Sequence, residues 1–291
     1  MSAALLLAAG LLLADPPSPG DAVVTVTVEN MYSAADENVD VVSQATLGQV
    51  VEVLETSGAF ARVRTPDHYA GWLRRDAIAP YPDAQAPRYA RSGRAVEVTS
   101  LMANVYREAD VTTARPKAQA PLATRLEVAG DGPTERWLAV RLPAGDVGYV
   151  QRGDVRDADP KAPRPRGSGE DVVATARRFL GVPYLWGGMT AQGIDCSGLA
   201  SRAYHANGVD LPRDADQQFA DPGAVPVERP ALRPGDLLFF GKDAANVTHV
   251  ALYMGDGRFI NATTHETPVV REDRLDDPHW SSIYLGARRP R

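Results

Sequence analysis

The chain changes its hydrophobic rhythm part-way along. Beyond residue 20, short apolar runs alternate with polar residues: Val23 to Val28 with Thr25 and Thr27 interleaved, Val50 to Leu54, Phe60 to Val63, and Gly71-Trp72-Leu73. A period near two, cut by Asp, Asn, Gly and Ser, predicts the strands of a small barrel or sandwich. The pattern then returns. Asn30-Met31-Tyr32 is echoed 74 residues later by Asn104-Val105-Tyr106. Gly71-Trp72-Leu73-Arg74-Arg75 is echoed 77 residues later by Gly148-Tyr149-Val150-Gln151-Arg152. Val50 to Leu54 has its counterpart in Leu122 to Val128, and Phe60 to Val63 in Trp137 to Val140. We read two tandem copies of one β module, 21–84 and 88–157. The period exceeds that of solenoid repeats, so each copy needs its own core. Modules this small gain from packing on a neighbour.

Residues 158–169 are rich in Pro, Gly and charge and read as a linker. Beyond them the period lengthens. Val172, Val173, Ala176, Phe179 and Leu180 fall on one helical face, with Glu170-Asp171 in the first turn and Gly181 as the stop. A second helix is predicted from Cys196 to Asn207, with Leu199, Ala203 and Ala206 inward and Gly208 ending it. Strands follow at 236–240, 249–254, 258–263 and 283–287. Residues 170–291 therefore read as α+β, helices first and then a mostly antiparallel sheet.

Ahead of all this, Ala3 to Ala14 is a run of Ala, Leu and Gly closed by Asp15-Pro16-Pro17-Ser18-Pro19-Gly20. It reads as the apolar region of a signal peptide, which makes 1–20 a leader and the protein exported, to the periplasm, cell envelope or medium. A short buried or disordered segment is the other reading. No run approaches the ~20 apolar residues of a spanning helix, so no stable membrane insertion is expected once the leader is gone. With Lys+Arg 31 and Asp+Glu 37 the net charge is −6, which argues against a general nucleic-acid binder. The single cysteine excludes a disulfide framework and multi-cysteine metal sites.

That cysteine, Cys196, opens the second predicted helix within Gly193-Ile194-Asp195-Cys196-Ser197-Gly198-Leu199. Free N–H groups and the helix dipole favour an anion there, so a thiolate of lowered pKa is expected. A lone cysteine is otherwise a small buried hydrophobe. A nucleophilic thiol needs a base. Of the five histidines, His249 opens the run Val250-Ala251-Leu252-Tyr253 at a strand end, His205 lies on the solvent side of a helix, His68 belongs to the first module, and His265 and His279 lie in loop-like text. A third group should orient the imidazole. A three-residue hairpin loop, Gly255-Asp256-Gly257, pairs Met254 with Arg258, Ala251 with Asn261 and His249 with Thr263. Asn261 and His265 are then both diagonal neighbours of His249. A two-residue loop would send Asn261 to the other face.

Six segments in order resemble the NlpC-type bacterial cell-wall cysteine peptidases. They are Pro183-Tyr184-Leu185-Trp186-Gly187-Gly188, Asp195-Cys196-Ser197-Gly198-Leu199, Leu211-Pro212-Arg213-Asp214, Arg233-Pro234-Gly235-Asp236-Leu237-Leu238-Phe239-Phe240, His249-Val250-Ala251-Leu252-Tyr253 and Phe259-Ile260-Asn261-Ala262. The upstream repeat resembles paired bacterial SH3-like domains. The resemblance implies a multidomain chain, two small all-β SH3-like barrels followed by an α+β papain-like peptidase domain at 170–291. It implies hydrolysis of peptidoglycan stem peptides or muropeptides, commonly after γ-D-glutamate and before meso-diaminopimelate or lysine. No cofactor is implied. Cys196 matches the nucleophile and His249 the base. Asn261 matches the third position, where the family most often has His, and it is preferred over His265. Tyr184 matches a tyrosine near the oxyanion pocket, to which the Cys196 N–H would donate. Asp195, Ser197 and Asp214 match residues that bind a free L-alanine amine, while Ala215 stands where the family has Ser. Two other readings remain: a catalytically silent wall-binding protein, and an amidase or acyltransferase on the same core. The aromatic residues Tyr32, Trp72, Tyr106, Trp137 and Tyr149 could form a sugar-binding row, but β-core and rim positions are the expectation for them.

Overall fold

A computed structural model describes residues 20–83 and 85–291. The leader expected over 1–20 therefore lies outside the described residues, apart from Gly20. The first β unit has seven strands: β1 (Gly20–Val24), β2 (Val28–Tyr32), β3 (Val41–Thr46), β4 (Val50–Ser57), β5 (Phe60–Arg64), β6 (Ala70–Arg74) and β7 (Ile78–Pro80). The second has β8 (Ala95–Val98), β9 (Met102–Val105), β10 (Ala118–Pro121), β11 (Arg125–Asp131), β12 (Trp137–Arg141), β13 (Val147–Gln151) and β14 (Val155–Ala158). The run Val23 to Val28 is two strands, not one, because the chain turns at 25–27.

The strand order of the first unit is β3-β2-β6-β5-β4-β1-β7. In the second, β10-β9 and β13-β12-β11-β8-β14 follow the same order, joined by one bridge between Tyr106 and Tyr149. The corresponding joint in the first unit is the single pair Tyr32–Trp72. The echoed residues are thus the ones where each sheet closes. The glycines of the echo have a steric reason. A Cβ on Gly71 would lie 3.1 Å from the Met31 side chain, and one on Gly148 would lie 2.6 Å from that of Val105. Two strands crossing this closely tolerate only hydrogen at that position. Tyr32, Tyr106 and Trp137 are buried, and Tyr106 packs edge-on to Trp137 at 5.6 Å.

The two units and the third share their edges. Leu47 of the first unit is buried in the core of the second, and the Tyr89 hydroxyl donates to the Arg141 carbonyl at 2.6 Å. The connecting segment is bolted down rather than swinging free. Arg164 pairs with the buried Glu97 at 2.5 Å, and Arg166 reaches the Pro290 carbonyl at 3.0 Å. Burial alone would raise Glu97, but Arg164 and Arg156 outweigh it and hold its carboxyl below the usual range.

The third unit opens with α1 (Gly169–Arg177), capped by Ser168 in a reciprocal box with Asp171. This helix ends short of the expected position, and Leu180 is exposed. Next come the two-residue strands β15 (Met189–Thr190) and β16 (Gly193–Ile194), then α2 (Cys196–Ala206) and α3 (Ala215–Ala220). The strands β17 (Ala224–Val227), β18 (Leu237–Gly241), β19 (Val247–Gly255), β20 (Arg258–Thr263) and β21 (Val269–Arg274) follow, then α4 (Pro278–Ile283) and β22 (Tyr284–Pro290). Six strands form one antiparallel sheet in the order β17-β22-β18-β19-β20-β21. Leu237 and Phe239 face the layer of α1 and α2, whereas Leu238 and Phe240 face α4 and Trp280. Both faces of β18 are covered, which explains its unbroken apolar run. Among the described residues, no helix is long and apolar enough to cross a membrane.

Candidate active site

Cys196 is the first residue of α2, and Asp195 caps the helix by accepting the Gly198 N–H at 2.7 Å. Helix geometry leaves the Cys196 N–H without an intrahelical acceptor. The Val250 N–H lies near enough to the thiol to favour its anion, and Val250 follows His249 along β19. The thiol and the imidazole therefore flank the same stretch of strand. Tyr184 stands close enough to Cys196 for its phenol to be pushed up, by burial first and then by the thiolate and Asp195.

The expectation of a lowered thiol pKa is corrected here. Burial, reinforced by the neighbouring Asp195 charge, pushes the Cys196 thiol up to about 12. The Val250 and Ser197 N–H groups and Arg213 act in the opposite direction and lose. Desolvation of a small anion outweighs a partial helix charge. Burial likewise takes His249 down to about 4, against the opposing pull of Asn261 and Asp273. Both groups are neutral over a wide range.

His249 Nε2 lies 2.9 Å from Asn261 Oδ1. The Asn261 amide nitrogen is already committed, to the Arg271 carbonyl at 3.2 Å and Asp273 Oδ2 at 2.9 Å. The oxygen must then face the histidine, so Nε2 carries the proton and Nδ1 keeps its lone pair. Trp280 stacks over the imidazole at 5.1 Å and 27°. His265 is elsewhere, stacked on His279 at 3.7 Å. The hairpin reached the expected register by a different route. Its loop is only Asp256-Gly257, both at positive φ (53° and 72°), as in a type I′ turn. The register slips between Tyr253 and Gly255, at Met254, and restores the pairing Leu252–Ile260. One bulged residue offsets the one missing from the loop.

Asp195 is densely bonded within the fold. Its oxygens accept from Gly198 N, from Gly187 N at 2.9 Å, from Ser197 Oγ at 3.3 Å, and from Arg213 at 2.6 and 3.2 Å. Arg213 is the largest fully buried side chain and also binds Ser197 Oγ at 2.9 Å and Ser43 Oγ of β3 at 3.0 Å. Asp195 and Ser197 thus hold the helix start, Arg213 and the loop at Gly187 together. Asp214 caps α3 in a box with Gln217 and is half-buried. Tyr69 of the first β unit lies against its carboxylate, and burial followed by Asp214 takes the Tyr69 phenol up to about 12. His205 is partly exposed, at the end of α2. It bonds Asp210 at 2.5 Å beside a cavity of about 220 Å³ between the three units, and burial then Arg202 take it down to about 4.

Sequence reasoning missed Arg213, Tyr69, Trp280 and Asp273. Arg213 stood inside a quoted motif, and a charged residue between Pro and Asp gave no hint of complete burial.

A thiol on a helix N-terminus, on a helix packed against the strand whose imidazole is held by a buried carboxamide, is the arrangement of a cysteine hydrolase. The model of the NlpC/P60 family matches residues 181–289, and that of the bacterial dipeptidyl-peptidase SH3 domain matches 31–78. A γ-D-glutamyl-L-lysine dipeptidyl-peptidase of Bacillus cereus is 30% identical over 257 residues, covering 85% of this chain and 74% of the relative. Dipeptidyl-peptidase 6 of Lysinibacillus sphaericus is 29% identical over 266 residues, covering 89% and 93%. The crystal structure of an NlpC/P60 family protein from Bacillus cereus superposes with a TM-score of 0.81 at 25% identity, covering 93% of this chain and 99% of that one. The chain belongs to the NlpC/P60 family of cysteine peptidases.

Proposed function

We propose that this protein hydrolyses peptidoglycan stem peptides at the γ-D-glutamyl–diamino acid bond through an acyl-enzyme. The observation that carries the reading is the Cys196 thiol at the start of α2, packed against the strand of His249, whose Nε2 is held by Asn261 so that Nδ1 is open to accept a proton. The name of the Bacillus cereus relative, a γ-D-glutamyl-L-lysine dipeptidyl-peptidase, supports the bond. Cys196 Sγ attacks the γ-glutamyl carbonyl as its proton passes to His249 Nδ1. The oxyanion lies against the Cys196 N–H, with Tyr184 nearby. His249 then protonates the leaving amine, and water, deprotonated by His249, cleaves the thioester. The common strand order of the two β units supports an SH3-like fold for the second as well as the first. Helices ahead of an antiparallel sheet support a papain-like arrangement. The apolar run Ala3 to Ala14 supports export.

Defined muropeptides digested with the full chain and read by mass spectrometry test this. Release of L-Ala-γ-D-Glu supports it. Cleavage at the lactyl–L-Ala amide favours an amidase, and binding without cleavage a silent wall protein.

The neutral thiol–imidazole pair sets the pH dependence. His249 must be neutral to accept the proton, and its lowered pKa keeps it so until the medium reaches about pH 4. We expect kcat/KM to fall only below about pH 5 and to stay level through neutrality. An acid limb near the ordinary histidine value would show instead that an ion pair forms in the free enzyme.

A free N-terminal amine would be read by Asp214, walled by Tyr69 of the first β unit. An L-Ala-γ-D-Glu-L-Lys tripeptide should exceed its N-acetylated form by on the order of 10²-fold in kcat/KM. Asp214→Asn should shrink that ratio. Equal rates for the two peptides would refute the amine preference and leave the peptidase assignment standing.

A further inference from the structure

The strands β19, β20 and β21 form a meander that carries His249, Asn261 and Asp273 at intervals of 12 residues. Each is the diagonal neighbour of the next. Asn261 lies directly across from Arg271, and Phe259 across from Asp273. Diagonal side chains on one sheet face are within reach of one another. The polar chain is unbroken: Nε2 of His249 to Oδ1 of Asn261 at 2.9 Å, then Nδ2 of Asn261 to Oδ2 of Asp273 at 2.9 Å.

A buried carboxamide has two orientations that exchange its donor and acceptor ends. In the reverse one, Nδ2 would point at His249, whose Nε2 would have to accept. The imidazole proton would then sit on Nδ1, the atom that must receive the thiol proton. What decides between the two is the pair of acceptors behind Asn261, the Arg271 carbonyl and the Asp273 carboxylate. A carboxylate accepts only, so it can meet Nδ2 but not Oδ1. It is itself held: Arg271 Nε donates to Oδ2 and Nη2 to Oδ1, each at 2.9 Å, and Glu266 fixes Arg271 at 2.9 Å.

We propose that Asp273 is a positioning residue, which keeps the Asn261 carboxamide turned so that His249 is protonated on Nε2 and open at Nδ1. The proposal rests on the peptidase reading of Cys196 and His249, but its first readout does not need activity. Nitrogen NMR of the full chain with labelled histidine should give the Nε2–H tautomer for His249. The Nδ1–H tautomer in the unmodified protein overturns the proposal, whatever the variants do. Asp273→Ala should mix the tautomers and lower kcat about tenfold with KM unchanged. Asp273→Asn, which keeps an acceptor, should stay within about threefold of the parent. In an Asn261→Ala background, Asp273→Ala should add no further loss, because it acts through the residue already removed. Losses that multiply, or an Asp273→Ala variant with unchanged tautomer and kcat, would overturn it. Persistent hydrolysis in Cys196→Ala would instead sink the peptidase reading and leave the tautomer result intact.

Discussion

Cys196→Ala is expected to lose stem-peptide hydrolysis by on the order of 10⁴-fold or more, with an unchanged circular dichroism spectrum. The sulfur is the chain's single thiol, and the neighbouring Ser197 hydroxyl is tied to Asp195 and Arg213. Alanine fits the first helical turn and leaves the Asp195 cap and the Val250 strand untouched. His249→Ala should fall in the same range, since nucleophile and base act as a unit and their losses do not multiply. Asn261→Ala should cost only roughly 10- to 100-fold, because orienting a base is worth less than being one. Steady-state turnover of a tripeptide measures all three. A folded Cys196→Ala variant with normal turnover would falsify the mechanism.

Arg213→Met is expected to destabilise the protein by about 3–5 kcal/mol, the usual cost of stranding one partner of a buried ion pair. Arg213 is only 1% exposed and Asp195 only 6%, so solvent cannot replace the lost guanidinium. The Gly187, Gly198 and Ser197 donors remain, but they do not cancel the carboxylate charge. The same substitution cuts the bond to Ser43, one of the ties between the first β unit and the peptidase unit. Asp195→Asn in the same chain removes the stranded charge while keeping an acceptor for the Gly198 N–H. The double variant should therefore recover more than half of the loss, which urea unfolding measures as a shift in midpoint. A midpoint unchanged in Arg213→Met would refute the buried pair as a source of stability.

Much of the site was legible because it depends on local chemistry. Cys196 was identified by a helix start that a capping Asp195 and the glycine at 198 announce. His249 stood out because a polar residue opens an apolar strand. The spacing across one hairpin left Asn261 and His265 both open, and the family resemblance favoured Asn261; the bulge at Met254 was invisible, because a single residue leaving the ladder changes no periodicity. Strand β21 escaped notice because it is an edge strand with two apolar residues followed by charges, as edges exposed to solvent commonly are. Asp273 went unseen with it.

The sequence alone determined the tandem β units, their closing residues and the order of the peptidase motifs. Burial on alternate positions acts between near neighbours and so leaves a periodic trace, and the tandem repeat shows as an echo of whole segments. Only the tertiary structure decided the electrostatics. Arg213 meets Asp195 across 18 residues and Ser43 across 170, and no pattern along the chain announces such a meeting. The same holds for the thiol. Its helix position argued for a low pKa, yet the protein packed over it excludes water, and the desolvation of a sulfur anion depends on everything around it in three dimensions.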